Sequence, residues 1–144
     1  MNRRNFTKAS ALAGVGLAAT PLWAGTTETA GSYKYNLHYA PHLGMFSHHA
    51  GEDPIDQLNF MADQGFTAFE DNDLRKREVA LQEKMAATME KRDLRMGVFV
   101  AHEIYWKKPN LASGDAILRA EFLEYIKKAI PVAKRVNAKW MTVV

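Results

Sequence analysis

The chain has 144 residues, 47% of them hydrophobic, which is enough for one domain with its own core. It contains no cysteine, which excludes a disulfide-stabilised scaffold. It contains 19 Lys and Arg residues against 16 Asp and Glu. Three of the basic residues and none of the acidic ones lie in residues 1–24, so the remainder carries 16 of each sign. That balance argues against nucleic-acid or membrane binding through a basic surface.

Residues 1–24 have the pattern of an export signal. Arg3 and Arg4 precede an apolar run at 11–22 and the small residue Ala24, which is the order of features in a signal peptide. The motif that starts at Arg3 and Arg4 resembles the twin-arginine export signal, and the apolar run is shorter than the roughly 20 residues of a membrane span. We therefore predict cleavage near Ala24, a flexible leader at 25–32, and a periplasmic protein with no membrane attachment after cleavage.

Residues 33–144 alternate between the patterns of strands and helices. Their hydrophobic spacing predicts strands at 33–39, 66–71, 95–101 and 139–144, with helices at 53–64, 78–92 and 115–136. This alternation is typical of an α/β protein with a parallel sheet and right-handed crossovers.

Single residues mark where the helices begin and end. Asp53 followed by Pro54 predicts a helix start, because an aspartate caps the first turn and proline fits the first helical position. Gly65 and Asn137 are expected in left-handed conformations that end helices. Pro131 is expected to kink the last helix.

The candidate functional residues are polar side chains at predicted strand ends. Parallel α/β proteins bind ligands at the carboxyl ends of their strands. Glu70 ends the second predicted strand and His102 the third. His38 ends the first, which also contains Asn36, and the strand pleat leaves open which way this pair faces. The alternatives are a solvated acidic turn for Glu70 and a hydrogen-bonded structural histidine for His102.

The remaining sequence patterns mostly exclude other kinds of site. His42, His48 and His49 follow no fixed ligand spacing, which disfavours a zinc site in their loop. No dinucleotide-binding glycine motif, phosphate-binding loop or serine-hydrolase elbow is present, which argues against nucleotide and serine-hydrolase functions.

Several short stretches, in this order, resemble the first half of hydroxypyruvate isomerase and its relatives. This family belongs to the xylose-isomerase-like TIM barrels, which also include sugar epimerases and endonuclease IV. The likeness covers residues 33–144 and depends on Asn36-Leu37, residues 65–70, residues 111–115 with Arg119, residues 129–135 and residues 140–144.

The resemblance implies that residues 33–144 form about half of a TIM barrel, in the order βαβαβαβ. A complete barrel takes about 250 residues. The open edges of such a half would invite pairing with another chain, so a homo-oligomer is expected.

The implied function is metal-assisted isomerisation or epimerisation of a small sugar or hydroxy-keto acid. The resemblance implies substrate binding by Glu70, His102, His38 and Asn36, and makes Glu70 and His102 candidate ligands of a divalent Mg, Mn or Zn ion. Most metal ligands and the catalytic carboxylates are expected beyond residue 144, so the chain by itself is expected to be partial or inactive. The alternatives are an exported, non-catalytic sugar-binding protein and an endonuclease IV-like phosphodiesterase.

Overall fold

Helices make up most of the ordered secondary structure in the computed structural model, which describes residues 33–144. The predicted signal peptide and the leader at 25–32 lie outside the described residues. The elements are α1 (Ser47–Ala50), α2 (Pro54–Asp63), β1 (Ala68–Phe69), α3 (Val79–Arg92), β2 (Arg95–Met96) and α4 (Ala116–Arg135), with short 3₁₀ turns at Leu74–Lys76 and Leu111–Ser113.

Aspartate caps begin two of the helices in the same way. The Asp53 carboxylate accepts hydrogen bonds from the backbone N–H groups of Ile55 and Asp56, at 2.7 and 3.4 Å. Asp115 does the same for the first turn of α4. These bonds satisfy N–H groups that have no partner within the helix, and they confirm the predicted helix start at Asp53.

The predicted left-handed residues are also confirmed. Gly65 has a φ of +89° after the end of α2, and Asn137 has a φ of +50° after α4. Pro131 lies inside α4, where it can donate no backbone hydrogen bond.

The sheet is parallel and contains two strands, β1 and β2, with Ala68 opposite Arg95 and Phe69 opposite Met96. One parallel bridge on each side extends this pairing beyond the two strands. His42 pairs with Glu70, and Val100 pairs with Thr142. The fold is therefore α/β with a parallel sheet, as predicted, although the strands are much shorter than expected.

The first predicted strand is wrong, because residues 33–39 form no strand. The first parallel pairing occurs later, where the Glu70 N–H donates to the Pro41 carbonyl at 3.0 Å and the Leu43 N–H donates to the Glu70 carbonyl at 2.9 Å. Pro41 is compatible with this position because its carbonyl accepts while its missing N–H is not needed. The tyrosines at 33–39 pack on each other and on Phe66 instead.

A one-residue shift in register interrupts the third predicted strand after Met96. The Gly97 N–H donates to the Phe69 carbonyl at 2.8 Å, but the next acceptor for the Asp71 N–H is the Val98 carbonyl, at 3.3 Å. A regular parallel ladder would use the Gly97 carbonyl, so one extra residue is inserted, as in a β-bulge. This explains why β2 ends at Met96 although backbone pairing resumes at Phe99.

The hydrophobic core lies between one face of the paired segments and helices α2, α3 and α4. Its fully buried members include Leu58, Met61, Phe69, Met85, Phe99 and Ala129. The helical methionines therefore fill the core. Within residues 33–144, no helix combines the length and apolar character needed to cross a membrane.

Candidate functional site at the carboxyl edge of the paired segments

His42 and Glu70 lie side by side where the first two paired segments end. Residues alternate between the two faces of a strand, so Glu70 lies on the face opposite the buried Phe69, and its partner His42 shares that face. The Glu70 carboxylate makes no hydrogen bond or ion pair with any of residues 33–144. Glu70 therefore has a half-buried carboxylate that no described residue engages. It lies next to His42, one of the loop histidines whose spacing in the sequence does not match a metal-ligand pattern.

The imidazole of His42 is held by backbone groups on both sides. Its Nδ1 lies 2.5 Å from the Leu43 carbonyl, and its Nε2 lies 3.5 Å from the Asn72 N–H. These contacts suit a neutral ring with the proton on Nδ1. Only the parallel bridge brings His42 next to Glu70, and no local sequence pattern could have indicated this.

Asp71, the next residue after Glu70, has a structural role. It is fully buried and forms an ion pair with Arg77, with N–O distances of 2.5 and 3.1 Å. Its Oδ1 also accepts the Asp73 N–H at 3.2 Å. Hydrogen bonding to Asp71 raises the pKa of Arg77 above its ordinary value. Two adjacent acids thus differ in role because they lie on opposite faces of the strand.

His102 lies at the carboxyl edge as predicted, but it is buried and both of its ring nitrogens are engaged. Nδ1 lies 2.7 Å from the Glu103 carbonyl, and Nε2 accepts the Val144 N–H at 2.9 Å. The ring also packs on Phe122 of α4, with 4.9 Å between centroids. In this arrangement His102 links the third and fourth paired segments and has no free nitrogen for a metal or substrate.

His38 and Asn36 lie away from Glu70 along the chain, in the exposed segment before the first pairing. His38 Nδ1 is 2.6 Å from the Thr67 hydroxyl, which precedes β1. Because parallel segments run from Thr67 towards Glu70, His38 lies at the amino end of that segment. The structure therefore brings neither His38 nor Asn36 to the carboxyl edge with Glu70.

A small cavity of about 250 Å³ opens at the carboxyl edge between residues 72–76 and 102–106. Arg75 and Lys76 contribute positive charge to its wall, and Asp73 and Glu103 contribute negative charge. Glu103 makes ion pairs with both cations, at 3.0 and 3.3 Å, and Asp73 pairs with Lys76 at 3.6 Å. His102 also lines it, and the Trp106 side chain, 83% exposed, stands at its wall. The cavity can hold a small polar molecule, and Arg75, Lys76 and Glu103 were not among the residues predicted from sequence.

Tyr105, in the loop beside this cavity, is tied to α4. Its hydroxyl donates to Glu121 Oε1 at 2.9 Å. This hydrogen bond favours the protonated phenol and raises the pKa of Tyr105 from 10.0 to about 12. The bond holds the loop that carries Trp106 against the helix.

A larger groove of about 760 Å³ lies at the opposite end of β2, between α3 and residues 135–140. Met89, Leu94 and Trp140 give it an apolar lining. It lies at the amino end of β2, away from the ends where ligands bind in parallel α/β proteins.

The described part of the chain does not provide a complete set of ligands for a divalent metal. Residues 33–144 contain no group of three His, Asp or Glu side chains placed to hold one. His102 uses both nitrogens, and Asp71 is paired with Arg77. Glu70 is the one predicted ligand whose coordinating atoms have no partner among these residues.

Comparison of the chain with models of protein families and with curated proteins found no match.

Proposed function

We propose that this chain contributes to an isomerase or epimerase of a small sugar or hydroxy-keto acid, built on the first half of a TIM barrel. The observation that carries the proposal is the order of parallel pairing. Residues 41–43 pair with Glu70, β1 pairs with β2, and Val100 pairs with Thr142. Each segment therefore neighbours the next one in the chain, which is the order in a βα barrel, whereas a doubly wound sheet reverses its order at a switch point.

The positions of the polar residues support the same proposal. In βα barrels, substrates bind at the carboxyl ends of the strands. Glu70, His42 and the cavity beside Arg75 all lie at that edge. In our proposal, the Glu70 carboxylate accepts hydrogen bonds from substrate hydroxyls.

The proton-transfer step is assigned to other residues. The two catalytic glutamates implied by the resemblance have no counterpart among residues 33–144. A divalent metal would polarise the substrate carbonyl in the resembled enzymes, but the described residues do not complete a site for it. Glu70 is proposed as a residue that orients substrate, in a protein exported to the periplasm.

The test is an activity assay on the purified full-length gene product. Hydroxypyruvate and small ketoses are supplied with Mg²⁺, Mn²⁺ or Zn²⁺, and isomerised product is measured by NMR. We expect turnover of at least one substrate, and we expect Glu70→Gln to lower kcat/KM by about tenfold or more because it removes a charged hydrogen-bond acceptor. Glu90→Gln, at an exposed position in the groove at the amino end of β2, is the matched control and should leave kcat/KM unchanged.

Two results would contradict the proposal. Absence of turnover with every substrate and metal would exclude the isomerase function, and sugar binding without turnover would favour the exported sugar-binding protein instead. Unchanged kcat/KM in Glu70→Gln would remove Glu70 from the site while leaving the reaction intact. The exposed rings of Tyr33 and Tyr39 are the observation that favours the sugar-binding alternative, since aromatic faces offer apolar contact area with a polar tip.

A further inference from the structure

Arg75 presents a buried hydrogen-bond donor without an acceptor. Its guanidinium Nη2 donates to Glu103 Oε2 at 3.0 Å, and the guanidinium lies 5.1 Å from the centre of the Tyr125 ring. The Nε atom is buried and finds no partner among residues 33–144. An unpaired buried donor is costly, so this atom indicates an acceptor that residues 33–144 do not supply.

Glu103 lies between two cations at this position. Its carboxylate oxygens are 3.0 Å from Arg75 and 3.3 Å from Lys76, and Lys76 also pairs with Asp73 at 3.6 Å. The Glu103 side chain is 37% exposed, while that of Arg75 is only 15% exposed. The cation is therefore fixed by its surroundings, and the carboxylate is the more accessible partner, which an incoming anion can replace.

We propose that the cavity between residues 72–76 and 102–106 binds the carboxylate of a small hydroxy-keto acid, with Arg75 and Lys76 as its anchors and Glu103 displaced. This inference rests on the proposed function and narrows its substrates to hydroxy-keto acids. The planar guanidinium matches a carboxylate through two parallel N–H donors, and displacement of Glu103 must uncover the buried Nε for it to be one of them. The volume of about 250 Å³ is below the roughly 300 Å³ at which pockets for drug-sized ligands begin, so the bound acid must be small.

The position of the cavity fits this assignment. It follows the second and third paired segments at their carboxyl ends, and Asn72, which lines it, also contacts the His42 ring next to Glu70. Through Asn72, the cavity adjoins His42 and Glu70 along the carboxyl edge. Arg75 is thus proposed to select acidic over neutral substrates.

Binding is tested by isothermal titration of the full-length protein with hydroxypyruvate, with neutral dihydroxyacetone and with inorganic phosphate. We expect hydroxypyruvate to bind, and Arg75→Gln to weaken its binding by about tenfold or more, because a buried charged partner is lost. Glu103→Gln should tighten binding, since the competing carboxylate is removed. Lys127→Gln, at the exposed ion pair with Glu124, also removes one positive charge and should change nothing.

The two cavity variants are expected to change ligand affinity in opposite directions, which distinguishes a binding role from a purely structural one. If Arg75 and Glu103 only stabilised the fold, both substitutions would weaken binding together and lower the melting temperature together, which would overturn the proposal. Unchanged or weaker binding in Glu103→Gln alone would also overturn it, even if Arg75→Gln does not fold. Tighter binding of inorganic phosphate than of hydroxypyruvate would overturn the carboxylate assignment.

Two different results would distinguish failure of the carboxylate site from failure of the isomerase function. Hydroxypyruvate binding that depends on Arg75, without turnover, would keep the carboxylate site and reject the isomerase. Turnover of hydroxypyruvate with an unchanged KM in Arg75→Gln would keep the isomerase and reject the carboxylate site.

Discussion

Asp71 and Arg77 form an ion pair that closes the turn after β1, with N–O distances of 2.5 and 3.1 Å and the carboxylate fully buried. The turn between them contains the 3₁₀ segment Leu74–Lys76, which carries both cations of the cavity. The ion pair therefore holds Arg75 and Lys76 in place.

We expect Asp71→Asn to destabilise the fold by roughly 2–3 kcal/mol, because it leaves a partly buried guanidinium without its charged partner. Urea denaturation followed by circular dichroism measures this change. Asp63→Asn is the control, since Asp63 pairs with Arg92 at the surface and its side chain is 60% exposed; its cost should stay below about 1 kcal/mol. Equal losses in the two variants would show that burial of Asp71 adds nothing.

His102 is predicted to act mainly on stability. His102→Ala removes the partner of the Val144 N–H and opens a cavity beside Phe122, which should cost roughly 2–4 kcal/mol. The melting temperature is measured with and without added Zn²⁺ or Mg²⁺. Metal that stabilises the native protein but not the variant would show instead that His102 is a ligand.

Gly65 is predicted to tolerate no side chain. A Cβ at this position would lie 1.8 Å from the Tyr33 carbonyl oxygen, and φ is +89°. Gly65→Ala should therefore displace the segment at 33–39 and cost more than the roughly 1 kcal/mol of a left-handed alanine alone. Limited proteolysis and urea denaturation measure the two effects.

Gly114 provides the comparison for Gly65. Its φ is +77°, and no atom of residues 33–144 beyond its chain neighbours lies within 4 Å of the position that a Cβ would take, so Gly114→Ala should cost only about 1 kcal/mol. If both alanines destabilise equally and residues 33–39 resist cleavage in both variants, the close approach of Tyr33 has no energetic weight.

Tyr105 gives a prediction at high pH. Its pKa is raised from 10.0 to about 12, chiefly by the hydrogen bond to Glu121. Because the protonated phenol is favoured in the folded state, this contribution to stability is complete below pH 10 and is lost as the pH rises towards 12. NMR of ¹³C-labelled tyrosine should show a titration near pH 12 that disappears in Tyr105→Phe.

Glu121→Gln removes the charged acceptor of the Tyr105 hydroxyl. The pKa of Tyr105 should then fall from about 12 towards its ordinary value of 10.0, while the protein stays folded at neutral pH. A titration that remains late in this variant would assign the shift to a cause other than Glu121.

The boundaries of α2, α3 and α4 could be predicted from sequence because they depend on neighbours, whereas α1 lies in a stretch that was predicted to be a loop. Asp53 accepts from N–H groups two and three residues later, and Asn137 adopts the left-handed conformation directly after its helix. These are local interactions, which residue identity and spacing suffice to indicate.

The first strand could not be placed in this way. The alternation of tyrosines at 33–39 has the period of a strand, but the rings stack on each other and on Phe66. Pairing requires a partner with free N–H and carbonyl groups, and that partner, Glu70, aligns with His42.

The same distinction between local and long-range interactions applies to the candidate site. Glu70 and His102 could be predicted as residues at strand ends, and both lie at the carboxyl edge. The hydrogen-bond partners of His102, including the N–H of Val144, could not be predicted, because they join segments that are distant in the chain.

The sequence by itself determined where α2, α3 and α4 start and stop and that the paired segments run parallel, since these depend on caps, periodicity and the alternation of elements. Only the tertiary structure decided that Asp71 is buried in an ion pair with Arg77, while the Glu70 carboxylate stays without a partner among residues 33–144. The physical reason is that adjacent residues of a strand face opposite sides. Which side meets the helices is decided by packing between elements, and no single segment contains that information.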